Sequence, residues 1–237
     1  MSAQGNAEGI VIAIDGPSGS GKSSTARGVA TERGLRYLDT GAMYRAVTWW
    51  MLHHEVDVDD AAAVAAAASR PVVTMGTDPT APTVRVDGVD VAREIRSREV
   101  TASVSAVSAV PRVRERLVAL QRAVIAEARR GAPGIVVEGR DITTVVAPDA
   151  PVKLYLTASA EARAQRRSRE VRTTDIAATQ ADLARRDLLD SSRAASPLTR
   201  TEDSLELETS GLTLDEVVAI VVKLVDEAAA REGSAAL

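Results

Sequence analysis

The chain contains no cysteine, no phenylalanine, two histidines and a single asparagine, Asn6. Each shortage closes off a class of function. Without cysteine there are no disulfides, no thiolate catalysis and no cysteine metal sites. His53 and His54 are adjacent at the end of an expected helix, too few and too close for a metal centre, and read as surface residues. Aromatics make up 2% of the residues while 45% are hydrophobic, so the core must be built from alanine, valine and other branched aliphatic groups. Asp15 interrupts the longest opening apolar run, and neither a signal-peptide pattern nor a membrane span is visible. A cytoplasmic location and no membrane partner are expected. The formal net charge of −4 argues against nucleic acid as a partner, so an anionic ligand would have to be met by local arginines. The lone asparagine leaves no N-K-x-D guanine motif, and no L-S-G-G-Q-like segment is present. A GTPase switch and an ABC-type ATPase are thereby disfavoured.

What is present is concentrated near the start. Gly16-Pro17-Ser18-Gly19-Ser20-Gly21-Lys22-Ser23 spells G-x-x-x-x-G-K-S, the phosphate-binding P-loop pattern. Its setting agrees. Ile10 to Ile14 is a short apolar run suited to a buried parallel strand, and Ser24 to Arg33 can form a helix with Ala26, Val29 and Ala30 on one face, stopped by Gly34. The glycines let successive N–H groups curl inward around a polyphosphate, and the helix start adds its positive dipole end. Residues Gly16 to Ser24 are therefore expected to bind the phosphates of a nucleotide. Lys22 would reach the β- and γ-phosphates, and the Ser23 hydroxyl would face Mg²⁺.

Residues 1–8 read as a small polar tail. Leu35 to Leu38 reads as a second strand, and Asp39 opens a helix running to about His53. From Asp59 the texture changes. An alanine-rich helix to Ser69 is stopped by Pro71, and three short strands follow at 72–75, 83–86 and 89–91, the last two joined by a tight Asp87-Gly88 hairpin. Helical pattern returns at Glu99, breaks or kinks at Pro111, and continues from Arg112 to Arg130. Strands are expected at 135–137, 152–156 and 205–207, with polar helices at 159–172 and 179–190. Thr213 to Glu216 is a capping box for a last helix. The alternation predicts an α/β fold: a parallel sheet with helices on both faces, a small antiparallel insert, and the P-loop at the carboxyl end of the first strand.

Three clusters narrow the chemistry. Thr40 to Arg45 places a hydroxyl at a helix start and an arginine one turn inside, either a phosphate clamp or simply an N-cap with a surface arginine. Glu138-Gly139-Arg140-Asp141 follows a strand, where loops carry function more often than structure. Arg163, Arg166, Arg167, Arg169, Arg172, Arg185, Arg186 and Arg193 make a third, arginine-rich segment. It suits a flap that spreads transition-state charge and expels water. No side chain is placed as a general base. A phosphate acceptor needs none, because its second pKa of about 6 leaves its oxygen ionised at neutral pH.

Together the P-loop, Asp39-Thr40-Gly41-Ala42-Met43-Tyr44-Arg45, Pro111 to Glu115, Glu138 to Asp141 and Arg186 to Arg193 resemble the bacterial cytidylate kinases, in order and over nearly the whole chain. The resemblance implies a kinase that moves the γ-phosphate of ATP to CMP or dCMP. It implies a P-loop core at 9–58 and 106–237, a monophosphate-binding insert at 59–105 and a lid at 163–193. Thr40, Arg45, Arg140 and Arg193 would hold the acceptor phosphate. Ser105, Arg114 and Asp141 would read the cytosine edge, and Arg186 and Asp190 would meet the sugar. Lys22, Arg140, Arg186 and Arg193 would be catalytic. Mg²⁺ would accompany ATP, near Ser23 and, through water, Glu138, where many relatives carry Asp. A monomer is expected. Other small-molecule P-loop kinases, with UMP or shikimate as acceptor, are the alternative.

Overall fold

The structure is a computed structural model, and it describes residues 9–131, 133–171 and 173–235. The expected polar tail at 1–8 and Arg172 lie outside the described residues.

Strand β1 (Ile10–Asp15) enters the P-loop, and α1 (Lys22–Arg33) leaves it. The helix starts two residues earlier than the apolar pattern alone implied, because left-handed Gly21 turns the chain into the helix directly. Gly34, also left-handed, closes it by donating to the carbonyls of Ala30 and Thr31. Next come β2 (Arg36–Asp39), α2 (Thr40–His53), α3 (Ala61–Ala67), and β3 (Val73–Met75), β4 (Val84–Val86) and β5 (Val89–Asp90). A short 3-10 turn (Glu94–Arg96) leads into α4 (Arg98–Ala109) and α5 (Pro111–Gly131). Pro111 is the first residue of α5 rather than a kink, a position where its missing N–H costs nothing. After β6 (Gly134–Glu138) the chain makes an unforeseen π-type turn (Ile142–Val146). It ends through β7 (Val152–Thr157), α6 (Ala160–Val171), α7 (Ile176–Ser192), β8 (Leu205–Glu208) and α8 (Leu214–Ala235).

The main sheet runs β2-β6-β1-β7-β8, and every pairing is parallel. Side chains alternate across it as a strand requires. Ile12 and Ile14 of β1 meet α1 and α8 through Ala26, Val29, Val218 and Val221. Val11 and Ala13 face the other layer, with Met43, Val47, Val113 and Leu117 from α2 and α5. The absence of phenylalanine is answered by these small branched groups packed on both faces of one sheet. Thr213 and Glu216 form the expected capping box at the head of α8, at 2.8 and 3.3 Å.

The second sheet, β3-β4-β5, is antiparallel. Asp87 (φ 52°) and Gly88 (φ 81°) make its hairpin, both left-handed as a two-residue turn of this hand demands. The Asp87 carboxylate does more than turn the chain. It accepts from the Trp50 indole at 2.7 Å and the Val72 N–H at 2.8 Å, tying the insert to α2. Val64, Val84, Val86, Val91 and Ile95 belong to the same apolar cluster as Met43, Met51 and Val137, so the insert shares the core of the main sheet. Its connecting loop also covers the sheet edge, where Tyr37 N–H donates to the Thr77 carbonyl at 2.9 Å.

Candidate active site

All the loops of interest lie at the carboxyl ends of the parallel strands. The chain leaves β1 for one side of the sheet and later crosses over to β7 on the other, so the P-loop stands at the switch point where such sheets form a crevice. A cleft of about 860 Å³ opens there. It is lined by Ser18, Gly19, Ser20, Gly21, Lys22, Ser23 and Ser24 of the P-loop together with Thr40, Arg45, Ser105, Arg114, Glu138, Arg140, Asp141, Arg186, Asp190 and Arg193. Of the residues singled out from the sequence, Gly16 and Pro17 of the P-loop and Arg163, Arg169 and Arg185 of the arginine-rich segment do not line it. Gly16 (φ 146°) has a backbone reason to be glycine, because a Cβ there would sit 2.1 Å from the Leu156 carbonyl. The Pro17 carbonyl accepts from Lys22 Nζ at 2.8 Å.

Lys22 is buried, and burial, reinforced by the Arg140 guanidinium, pushes its pKa well below the ordinary lysine range, while Glu138 and Asp15 pull it back. Glu138, at the end of β6, is displaced the other way. Burial and the neighbouring Asp39 raise it, and Lys22, Ser23 and Tyr37 oppose the rise. Asp39 and Glu138 are register partners on adjacent strands, which explains why two carboxylates meet here. Tyr37 donates to Glu138 at 2.6 Å, and the Thr40 hydroxyl donates to the Glu138 carbonyl at 2.7 Å.

Opposite the P-loop, arginines collect. Arg45 donates to the Ile95 carbonyl and the Thr101 hydroxyl at 3.0 and 2.9 Å. Burial, and then the charges of Arg186 and Arg167, lower its pKa to about 9. Arg186 is lowered to about 10 by burial and by Arg140 and Arg167, and its buried Nε has no partner. Arg193 donates to the Ser196 carbonyl at 2.6 Å and keeps one buried terminal nitrogen unpaired. Guanidiniums that oppose one another and leave buried donors open define a site for a dense anion. Arg140 spans the cleft, donating to Asp190 of α7 at 3.0 Å and to the Ser18 hydroxyl at 2.7 Å.

The deep end of the cleft has a different character. Arg114 and Asp141 form an ion pair with side chains only 5% and 4% exposed. The Arg114 guanidinium lies 5.3 Å from the Tyr44 ring, and Ser105 lines the same wall. A guanidinium, a carboxylate and a hydroxyl together offer donors and acceptors along one edge, which suits a flat heterocycle.

Several contacts at the site escaped the sequence reading, although Asp187 lies within the Arg186 to Arg193 segment singled out from it. Asp187 of α7 accepts from the Ser18 N–H at 3.1 Å and pairs with Arg163, which in turn donates to the Ser18 carbonyl at 3.1 Å. Tyr37 and Asp15 support the site from behind. Asp15 carried a signal, an acidic residue closing an apolar strand just before the P-loop; Tyr37 carried none. Among the described residues no cluster of three or more metal-ligating side chains occurs, and no helix is long and apolar enough to cross a membrane.

A family model described as cytidylate kinase matches residues 12–227. Curated cytidylate kinases are similar along almost their whole length. That of Streptomyces avermitilis is 56% identical over 92% of this chain and 93% of its own. That of Nocardia farcinica is 56% identical over 88% and 90%, and that of Corynebacterium glutamicum 51% identical over 95% and 98%. With the P-loop, the arginine wall and the buried Arg114–Asp141 pair in one cleft, these similarities place the chain in the cytidylate kinase family.

Proposed function

We propose that this protein transfers the γ-phosphate of ATP to CMP or dCMP, giving ADP and CDP or dCDP. The observation that carries the acceptor is the buried Arg114–Asp141 pair facing the P-loop across a wall of arginines. Cytosine presents an exocyclic amine, a bare ring nitrogen and a carbonyl. Asp141 and the Ser105 hydroxyl accept from the amine, and Arg114 donates to the nitrogen and carbonyl. Uracil offers a carbonyl where the amine would be, which sets it against the Asp141 carboxylate and leaves buried groups unpaired.

The donor phosphates lie in the P-loop, with Lys22 as the point charge on the β- and γ-oxygens. The cleft continues past Ser24 to Arg166, Leu212 and Leu214, which gives the donor nucleoside a place. Thr40, Arg45, Arg140 and Arg193 hold the acceptor phosphate, and Arg186 and Asp190 meet the sugar. No base removes a proton, because the attacking phosphate oxygen is already ionised. The work of the site is to bring two polyanions together in line and stabilise the charge between them. Arg140, Arg186 and Arg193 do this from the acceptor side and Lys22 from the donor side. Mg²⁺ would accompany ATP here: the Ser23 hydroxyl and the crowded Glu138 and Asp39 carboxylates offer the hard oxygen groups that would hold it, and it would supply charge neutralisation for the phosphates.

Coupled ADP release with CMP, dCMP, UMP, AMP and shikimate as acceptors tests the reading. CMP and dCMP should give the highest kcat/KM, with UMP lower by roughly 10²-fold or more, the size of one mismatched buried polar edge. Equal use of CMP and AMP, or a preference for shikimate, would overturn it.

A further inference from the structure

An aspartate that directly precedes a helical turn ordinarily caps it, accepting the turn's first free N–H groups on its own side chain. Asp141 precedes the π-type turn Ile142–Val146 and does not cap it. Its carboxylate is turned away, onto Arg114. The N–H groups that Asp141 leaves free are taken by a residue far away in sequence. Asp15, the last residue of β1 and wholly buried, accepts the Ile142 N–H on Oδ1 at 2.9 Å. Its Oδ2 accepts the Thr143 N–H at 2.8 Å and the Thr143 hydroxyl at 2.7 Å.

We propose that Asp15 is a positioning residue for acceptor recognition: by capping the turn at Ile142 and Thr143 in place of Asp141, it releases the Asp141 carboxylate to pair with Arg114 and face the acceptor base. The arrangement needs a carboxylate. Three donors converge on its two oxygens, and an amide in its place would set an NH₂ against N–H or O–H groups in a site closed to water. Deprived of this cap, the turn's free N–H groups have a substitute acceptor one residue away, the Asp141 side chain itself. Asp141 would then fall back onto its own turn and abandon the base. The inference rests on the reading that Asp141 meets the acceptor base.

Steady-state kinetics and a double-mutant cycle test it. Asp15→Asn should raise KM for CMP about tenfold and narrow the preference for CMP over UMP, with the affinity for a fluorescent ATP analogue kept within about threefold. Combined with Asp141→Asn, it should add little further to KM, because the group it positions is already altered. Additive effects, or equal losses at the CMP and ATP sites, would overturn the proposal and leave Asp15 a structural cap. If Asp15→Asn does not fold, Thr143→Val removes one of the three donors. It should raise KM for CMP about twofold to threefold, and an unchanged KM would refute the proposal. An Asp141→Asn enzyme with wild-type KM and base preference would instead refute the acceptor reading on which this inference rests.

Discussion

Replacing Lys22 by methionine should abolish transfer and make the protein more stable. Lys22 is 6% exposed, and its ammonium has one hydrogen bond, to the Pro17 carbonyl at 2.8 Å. Burial and the Arg140 charge hold its pKa well below the usual lysine value, so in the free enzyme the charged form is disfavoured relative to the unfolded chain. Methionine matches the length and buries its end at no desolvation cost. Glu138 loses a counter-charge, but its pKa is already raised by burial, so it takes up a proton rather than remaining an uncompensated anion. The expected gain is about 1–2 kcal/mol, a rise in Tm of roughly 2–8 °C for a chain of this size. The sign has a pH signature. A base with a depressed folded pKa costs stability in full below that pKa, and the cost fades as pH rises toward the unfolded value of about 10.4. The difference in Tm between variant and wild type should therefore be widest near pH 6 and narrow toward about pH 10. Lys22 is the donor-side charge of the transition state, so kcat should fall by on the order of 10³-fold. Scanning calorimetry across that pH range and coupled ADP release measure the two effects. A Tm that falls by several degrees, or activity within threefold of wild type, would refute the reasoning.

Gly139→Ala should damage both fold and acceptor binding. A Cβ there would stand 2.6 Å from the Thr40 hydroxyl and 2.7 Å from the Ile142 side chain, an overpacking that costs about 1–3 kcal/mol. Calorimetry should show a Tm lower by roughly 3–10 °C, and KM for CMP should rise as Thr40 is displaced; an unchanged pair of values would count against the close approach of these strand ends. Residues 163–193 are proposed as a lid, on the ground that α6 and α7 are polar, bury few apolar side chains, and leave Leu188 68% exposed. Hydrogen exchange should be fast between Gln165 and Arg185 in the free enzyme and slow with a bisubstrate analogue joining adenosine and cytidine through phosphates, and equal rates in the two states would remove the lid. Arg163 and Asp187, both bonded to Ser18, should stay comparatively protected throughout, as the base on which the lid turns.

Much of this was legible in the sequence because it is written locally. The P-loop, the Asp87-Gly88 hairpin and the Thr213–Glu216 capping box depend on residues a few positions apart, whose geometry follows from backbone preference and short-range hydrogen bonds. Strand ends moved by a residue where pairing, not propensity, decides them. Asp39 and Glu138 join their strands because each is the other's register partner. Pro111 was readable as a break but not as a helix start, since one local preference serves both. What could not be read was which groups touch where distant chain segments meet across the fold. Asp15 contacts a turn 127 residues away, Tyr37 contacts Glu138 across 101 residues, and Asp187 contacts Ser18 across 169. Residue type announced Asp15 as unusual but not Tyr37, and for all three only topology says what they touch.

The distant contacts also explain how the fold tolerates its own active site. Lys22, Arg45, Arg186 and Arg193 all have pKa values lowered first by burial and next by another arginine, so the free cleft holds like charges that oppose one another. Such a cluster lowers the stability of the chain that carries it. Part of the opposition is met by carboxylates: Asp190 pairs with Arg140, Asp187 with Arg163, and Asp141 with Arg114. These partners come from α7 and from the loop after β6, not from the P-loop. In the free protein Asp190 occupies the Arg140 guanidinium, which the acceptor phosphate would otherwise claim. Two nucleotides bring more negative charge than these carboxylates supply, so binding relieves the remaining repulsion and adds to the stability of the folded state. A site assembled from opposed arginines and borrowed carboxylates thus favours the doubly occupied cleft over the empty one. That bias is what a kinase needs if ATP is to be spent on a phosphate acceptor rather than on water.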